Sequence, residues 1–308
     1  MDGFRAVPEE LDAFRFQPTL THMNSRFISV NGIRLHCKEA GSGKLMLFIH
    51  GWPEFWYAWK EQLPEFARDF HVVAPDTRGI NLSDKPAEVK AYGGKTLTED
   101  MRQLIGALGH ERAIVVAHDW GGAIAWNLAA WHPQVVEKLV ILNSPHPVLY
   151  ARELTHSAEQ KAASAYMNLL RDPKAERVLA EDNYRRLFHQ LDGWKKSGKP
   201  PTAQDLEEYR KAWSQPGAIT AGLNYYRASP LHPEGIAPQK LDPDLFTVRV
   251  PTLVIWGMQD TALRPGLLDG LEQFVPDLRI ERIDEGTHWI AHEFPDRVNA
   301  RIRDFVRA

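Results

Sequence analysis

The 308-residue sequence holds one cysteine, Cys37, so no internal disulfide can form and a bridged framework is excluded. Cys37 falls in a strand-like run, where a buried structural thiol is expected. Residues 1–17 lack the charged start and unbroken apolar stretch of a secretory leader. No window approaches 18 consecutive apolar residues, so no membrane span is expected and the cytoplasm is the default location. Charge of one sign is lacking too. A formal net charge of -3 with interspersed signs offers no concentrated basic field, which argues against nucleic acid or an anionic membrane as partner. A small uncharged substrate fits better. There is no internal repeat, no low-complexity segment and no cluster with metal-ligand spacing, so no metal or organic cofactor is expected. What remains, 44% hydrophobic and 25% charged residues, is the balance of a globular chain with ample core.

Residues 26–30 and 33–38 alternate around Asn31-Gly32, a dipeptide that tolerates positive φ at both centres of a hairpin turn. The short apolar runs 44–50, 70–74 and 113–118 are spaced by helical-length segments, as doubly covered parallel strands are. Further runs at 138–142, 252–256 and 279–283 continue the alternation, and a helical pattern covers 296–306. The expected order is β-β-β-α-β-α-β-α-β, an insertion, then β-α-β-α, which is an α/β class with a mostly parallel central sheet flanked by helices. The insertion carries helix-forming, charged and aromatic stretches without a convincing strand. Breakers mark its edges, Ser144-Pro145-His146-Pro147 at one end and the prolines between 230 and 243 at the other. The expected division is a core domain of residues 1–144 and 242–308 with a helical cap domain of 145–241. The stretch 193–201 is expected to be a turn inside that cap.

At the end of the run 113–118 stands Ala117-His118-Asp119-Trp120-Gly121-Gly122, followed by a helical run over 123–131. A small-x-nucleophile-x-small pattern between strand and helix marks a strained turn that presents a nucleophile, usually serine. Here the central residue is aspartate. Alone, Asp119 reads equally as a helix N-cap. Its company favours the nucleophile, because Asp260 closes the strand run 252–256 and His288 follows the next strand, giving the order nucleophile, acid, histidine. A carboxylate is ionised at neutral pH and needs no base to attack. Attack on an ester would give a reactive anhydride, whereas attack on saturated carbon gives an alkyl ester that water must cleave. The substrate is therefore expected to carry an sp3 electrophile. His288 would activate that water, with Asp260 fixing its tautomer.

With these residues the chain resembles, over nearly all its length, the epoxide hydrolases of the α/β-hydrolase superfamily. The motifs that carry the resemblance are His50-Gly51-Trp52-Pro53-Glu54, residues 117–122, Asp260 and Gly286-Thr287-His288. The resemblance implies the α/β-hydrolase fold with a cap and an oxyanion hole made by the backbone N–H groups of Trp52 and Trp120. Pro53 is a candidate for a cis bond. His50 and His118 are read as shaping strand ends, and Glu54 either steers the water or His288, or is an ordinary exposed glutamate. Most of these motifs are shared with haloalkane dehalogenases. The cap distinguishes the two, since family epoxide hydrolases place one tyrosine in a Tyr-x6-Pro stretch and another in an Asn-aromatic-Tyr-Arg stretch. Tyr166 precedes Pro173 in that spacing, and Asn224-Tyr225-Tyr226-Arg227 supplies the second. Tyr166 and Tyr226 would donate to the epoxide oxygen, and with Trp120 would contact substrate. Read singly, either tyrosine also fits plain aromatic packing.

One departure is Thr77-Arg78-Gly79-Ile80-Asn81, where family members usually carry an aromatic or Gly-rich turn, which questions local loop shape. Residues 206–210 also resemble haloacetate dehalogenases, but Trp120 stands where those enzymes carry arginine, so a substrate carboxylate is not expected. The expectation is an epoxide hydrolase that converts a small apolar epoxide and water to a vicinal diol through an ester on Asp119, as a monomer or homodimer. The alternatives are a haloalkane dehalogenase with Asp119 as nucleophile and Trp120 holding halide, and a non-catalytic binding protein on the same scaffold. Trp194, Trp213 and Tyr225 suggest an apolar, aryl-accommodating pocket.

Overall fold

Alternation on both sides of Asn31-Gly32 folds β1 (Asn24–Val30) and β2 (Ile33–Ala40) into an antiparallel pair, with Val30 opposite Ile33. Both turn residues have positive φ, 43° and 77°. The computed structural model describes residues 19–20, 23–191, 193–194, 200–234 and 241–308. The stretch 1–17 and most of the turn expected at 193–201 lie outside the described residues. Six further strands follow: β3 (Leu45–Ile49), β4 (His71–Pro75), β5 (Ala113–His118), β6 (Val136–Leu142), β7 (Thr252–Gly257) and β8 (Leu278–Ile283). The sheet order is β1-β2-β4-β3-β5-β6-β7-β8, antiparallel at β1·β2 and β2·β4 and parallel elsewhere.

Period-2 side-chain alternation divides the core in two. Leu45, Leu47 and Ile49 face one way, with Val115 and Ala117, and pack with Leu97, Met101, Ile124 and Leu128. Those partners belong to α2 (Gly94–Ala107) and α3 (Trp120–Trp131). Met46, Phe48, Ile114 and Val116 face the other way, against Phe66 of α1 (Gln62–Phe66) and Val298, Ile302 and Phe305 of the C-terminal helix (Pro295–Arg307). Strands buried on both faces explain why these runs read as continuous apolar stretches. Cys37 is fully buried beside β4, and desolvation pushes its thiol well above the usual range, as befits an inert packing residue.

One expected element differs. Between β7 and β8 the crossover is two short 3-10 turns, Pro265–Leu268 and Leu271–Gln273, in place of an α-helix. Pro265, Gly266 and Gly270 account for it, because each disfavours helix propagation and Gly270 adopts φ +83°.

Between β6 and β7 the chain forms α4 (Pro147–His156), α5 (Ala158–Ala163), α6 (Tyr166–Arg171), α7 (Ala175–Gln190), α8 (Ala203–Trp213) and α9 (Ala218–Ala228), with α7 interrupted at 181–184 by non-helical backbone. Leu149, Met167, Leu179, Tyr209 and Tyr225 carry these helices into the same apolar core as α2 and α3. A polar tie adds to this. Asp205 closes a capping box with Thr202 at the start of α8 and also accepts from Tyr57 Oη at 2.9 Å and Lys60 Nζ at 2.5 Å. Two last helices, α10 (Ile290–Glu293) and α11, the C-terminal helix above, complete the chain. Among the described residues no helix is long and apolar enough to cross a membrane.

Candidate active site

Asp119 follows β5 in a backbone conformation of φ 51° and ψ -123°, which a non-glycine residue adopts only when its surroundings enforce it. Two glycines make the turn possible by close approach. A Cβ on Gly121 would lie 2.2 Å from the Ile49 carbonyl oxygen, and one on Gly51 would lie 2.4 Å from Asp119 Oδ1. The Asp119 side chain makes no capping bond to α3, so the N-cap alternative fails. Instead Oδ1 accepts from the backbone N–H of Trp52 at 3.0 Å, and the N–H of Trp120 also acts on the carboxylate.

The Trp52 N–H is aimed by its neighbour. His50 is buried, its Nε2 accepts from Thr77 N–H at 3.0 Å, and its Nδ1 therefore carries the proton donated to the Gly51 carbonyl at 2.7 Å. Desolvation keeps this ring neutral by lowering its pKa. Because C=O and N–H point oppositely across a trans peptide, fixing the Gly51 carbonyl on one side directs the Trp52 N–H to Asp119 on the other. The Trp52-Pro53 bond is cis.

His288 stands between two carboxylates. Its Nδ1 bonds Asp260 Oδ2 at 2.7 Å, and its Nε2 lies 3.6 Å from Asp119 Oδ2. Burial opposes the charged ring, but the Asp260 charge, helped by the Asp260 hydrogen bond and by the nearby Asp119 carboxylate, pushes its pKa up to about 10. Burial would also raise the Asp119 carboxyl, yet the His288 ring 3.6 Å away holds it below its ordinary value. Asp260 is fully buried and saturated with donors: N–H groups of Ala262 and Leu263 at 2.8 Å each, and Asn143 Nδ2 at 2.8 Å.

Sequence reasoning passed over Asn143 and Ser144. Asn143, at φ 37°, also accepts from the Gly257 N–H at 2.9 Å, so one amide ties Asp260 to the end of β7. Ser144 Oγ donates to the Asp119 carbonyl at 2.6 Å. The signal available was a polar pair at the end of an apolar parallel strand, beside the nucleophile's own strand. Glu54 is no exposed glutamate: it is buried, and Oε1 accepts from Tyr209 Oη at 2.6 Å and His292 Nε2 at 2.7 Å. Its Oε2 lies 3.4 Å from His118 Nδ1, and His118 Nε2 meets the His288 carbonyl at 2.9 Å. Desolvation is the largest influence on Glu54, but the charges and hydrogen bonds of His292 and His118 outweigh it and hold the carboxyl far below its usual range.

The two expected tyrosines meet near the nucleophile. Tyr166, at the start of α6, and Tyr226, on α9, have ring centroids 6.3 Å apart at 78°, and Tyr226 packs edge-on to Trp120 at 5.1 Å and Trp52 at 5.5 Å. Burial first, then the neighbouring tyrosine for Tyr166 and the Asp119 charge for Tyr226, raise both hydroxyls well above the ordinary value, so both are protonated at neutral pH. Asp119, Trp120, Tyr166 and Tyr226 line one cavity of about 300 Å³, walled mainly by apolar side chains. Tyr225 lines it with its ring while its hydroxyl anchors to Thr77 Oγ1 at 2.9 Å and the Arg78 carbonyl at 2.7 Å. Trp194 and Trp213 are not in that lining: Trp194 packs on His292 and Trp213 donates to the Pro53 carbonyl at 2.6 Å. The loop questioned at Ile80-Asn81 closes through Asn81, which takes φ 43° and donates to Asp76 Oδ2 at 2.8 Å. Among the described residues no group of ligand side chains could hold a metal ion.

The α/β-hydrolase fold family matches residues 44–295. An AB hydrolase superfamily protein of Bacillus subtilis is 40% identical over 92% of this chain and 97% of its own length. Epoxide hydrolase 1 of Caenorhabditis elegans is 38% identical over 92% of this chain and 70% of its own length. The crystal structure of an epoxide hydrolase from Bacillus megaterium in complex with an inhibitor superposes with a TM-score of 0.84, at 36% identity, covering 92% of this chain and all of that one.

Proposed function

The chain belongs to the epoxide hydrolases of the α/β-hydrolase family, and from that premise we propose that it converts an epoxide to a vicinal diol by way of a covalent ester on Asp119. Oδ1 is engaged by the Trp52 N–H, which leaves Oδ2 to attack an sp3 ring carbon. The ring C–O bond breaks, and the oxygen takes a proton from Tyr166 or Tyr226. Water then adds to the ester carbonyl carbon while His288 accepts its proton, the negative charge falling on the oxygen facing the Trp52 and Trp120 N–H groups. Collapse passes the remaining proton of the added water to the departing alkoxide, releasing the diol and the Asp119 carboxylate, and leaves His288 protonated as in the resting site. Alkylation removes the charge of Asp119 from beside His288, which lowers the pKa of the ring so that its resting proton passes to the tyrosinate, and the ring is a base only once the ester exists. We further propose that residues 145–241 act as a cap that excludes water from the alkylation step.

The observation that carries this reading is the presence of two protonated tyrosine hydroxyls in the same apolar cavity as the Asp119 carboxylate. An opening epoxide requires a proton donor, whereas a leaving halide does not, which favours the epoxide over a haloalkane. Incubating His288→Gln protein with styrene oxide and weighing it should reveal one added substrate mass on the peptide that contains Asp119. Replacing Tyr166 and Tyr226 together by Phe should slow turnover by roughly 100-fold or more. An unmodified His288→Gln protein, or release of halide from haloalkanes without turnover of any epoxide, would overturn the reading.

A further inference from the structure

The acid of the site is held on two sides. Asp260 Oδ2 bonds His288 Nδ1 and Asn143 Nδ2, and Oδ1 accepts from the main-chain N–H groups of Ala262 and Leu263 at 2.8 Å each. Those two donors belong to the loop that follows β7, and the direction of each N–H is set by the plane of its own peptide. The loop therefore has to be held for the acid to be held.

Gln160, on the short helix α5, does this. Its backbone N–H donates at 3.1 Å to Oγ of Ser157, the N-cap of that helix. A glutamine in this place ordinarily turns its side chain back to the N–H of the N-cap residue. Here the Ser157 N–H is already taken by the Glu153 carbonyl at 2.8 Å, and the Gln160 side chain crosses to the core instead. It is buried with both ends of its amide engaged: Nε2 donates to the Ala262 carbonyl at 2.8 Å and to Ser164 Oγ at 2.9 Å, and Oε1 accepts from the Arg264 N–H at 2.9 Å. The main chain offers a carbonyl to one end and an N–H to the other, so the amide fits in one orientation only. The Ala262 carbonyl and the Leu263 N–H belong to the same peptide and point oppositely across it. Fixing that carbonyl on Gln160 directs the Leu263 N–H to Asp260 Oδ1 on the other side, and the Arg264 N–H pins the following peptide.

We propose that Gln160 is a positioning residue for the second half-reaction: by orienting the 262–263 peptide it keeps Asp260 seated on His288, so that a helix between β6 and β7 completes the support of the acid. The inference rests on the hydrolase reading above and adds to it a residue that touches neither substrate nor His288. Its effect is confined to one step. Asp260 acts through His288, and His288 acts on water only after Asp119 has been alkylated, so without Gln160 the ester forms at its usual rate and is cleaved slowly.

Gln160→Met, of similar length and without hydrogen-bonding groups, tests this with styrene oxide. The expected result is that cleavage of the Asp119 ester slows about tenfold, that kcat and KM fall together while kcat/KM stays within about twofold, and that the ester accumulates in quenched enzyme. Beside Asp260→Ala the same substitution should leave ester cleavage within about twofold, because the group it positions is gone. Ser164→Ala, which removes one partner of Gln160 and leaves both bonds to the loop, should keep kcat within about twofold of wild type. Formation of the ester by each variant certifies its fold. A fall in kcat/KM without accumulated ester marks a general loosening of the structure and overturns the inference, as does an unchanged rate of ester cleavage or a slowing that persists in full beside Asp260→Ala; each of these leaves the hydrolase reading intact. If His288→Gln protein forms no ester, the hydrolase reading fails and the inference falls with it.

Discussion

The indole of Trp52 lies so close to Gly222 that a Cβ on the glycine would sit 1.9 Å from Nε1 and 2.6 Å from Cδ1. Gly222 and Tyr226 are one helical turn apart on α9, so both rest on the same tryptophan, the residue whose N–H also holds Asp119. The helix bearing one candidate acid is thus indexed directly on the candidate oxyanion hole. Gly222→Ala should displace α9, at a cost of about 1–3 kcal/mol from overpacking, and should slow alkylation more than ester hydrolysis because Tyr226 moves. Rapid-mixing kinetics alongside urea denaturation would check both. Unchanged alkylation would mean that the position of α9 does not govern the acid.

A second prediction concerns pH. Folded His288 keeps its proton up to about pH 10, whereas an unfolded histidine releases it near 6.5. Its raised pKa contributes stability that is fully present below about pH 6.5 and lost as the pH rises toward 10. The stability difference between wild type and His288→Gln should therefore shrink over that interval, measured by denaturant unfolding at a series of pH values. A difference that stays constant from pH 6 to 10 would place the resting ring in its neutral form.

Glu54 has the opposite sign. Its folded pKa is depressed by His292 and His118 against the effect of burial, so its contribution is present above the unfolded value near 4.3 and is lost as the pH falls below it. Glu54→Gln removes the buried carboxylate that accepts from Tyr209 and His292 and should cost about 2 kcal/mol at pH 7. The deficit relative to wild type should narrow under acid. Equal stability of the two proteins at pH 7 would show that the buried carboxylate does nothing for the fold.

Asn143→Ala removes a donor to Asp260 and frees the N–H of Gly257. Asp260 would then hold His288 less firmly, and since His288 acts in the second half of the proposed reaction, hydrolysis should slow by about tenfold, one lost hydrogen bond to a charged group. The alkyl ester should accumulate during turnover and appear by mass spectrometry of quenched enzyme. A slower alkylation with no accumulated ester would assign Asn143 to the wrong step.

Much of this was legible in the linear chain. The turn at Asn31-Gly32, the apolar runs of the parallel strands and the glycines after Asp119 are local requirements, because backbone conformation and period-2 burial are set by neighbours in sequence. The helix expected between β7 and β8 followed from the alternation of strands and helices alone, and Pro265, Gly266 and Gly270 prevent its propagation. Glu54 was left open for a different reason. Its partners His118, Tyr209 and His292 lie 64, 155 and 238 residues away, a separation that no local pattern reports.

By itself the sequence determined the layered α/β class, the strained turn that carries Asp119, and the chain order of Asp119, Asp260 and His288, all consequences of short-range sterics and side-chain chemistry. Tertiary structure alone decided that His288 sits between two carboxylates, that the Tyr225 hydroxyl anchors to Thr77 and Arg78, and that the cavity runs along α3. Those are outcomes of how the helices between β6 and β7 pack on the sheet, and packing depends on the shapes of surfaces that meet only when the chain has folded.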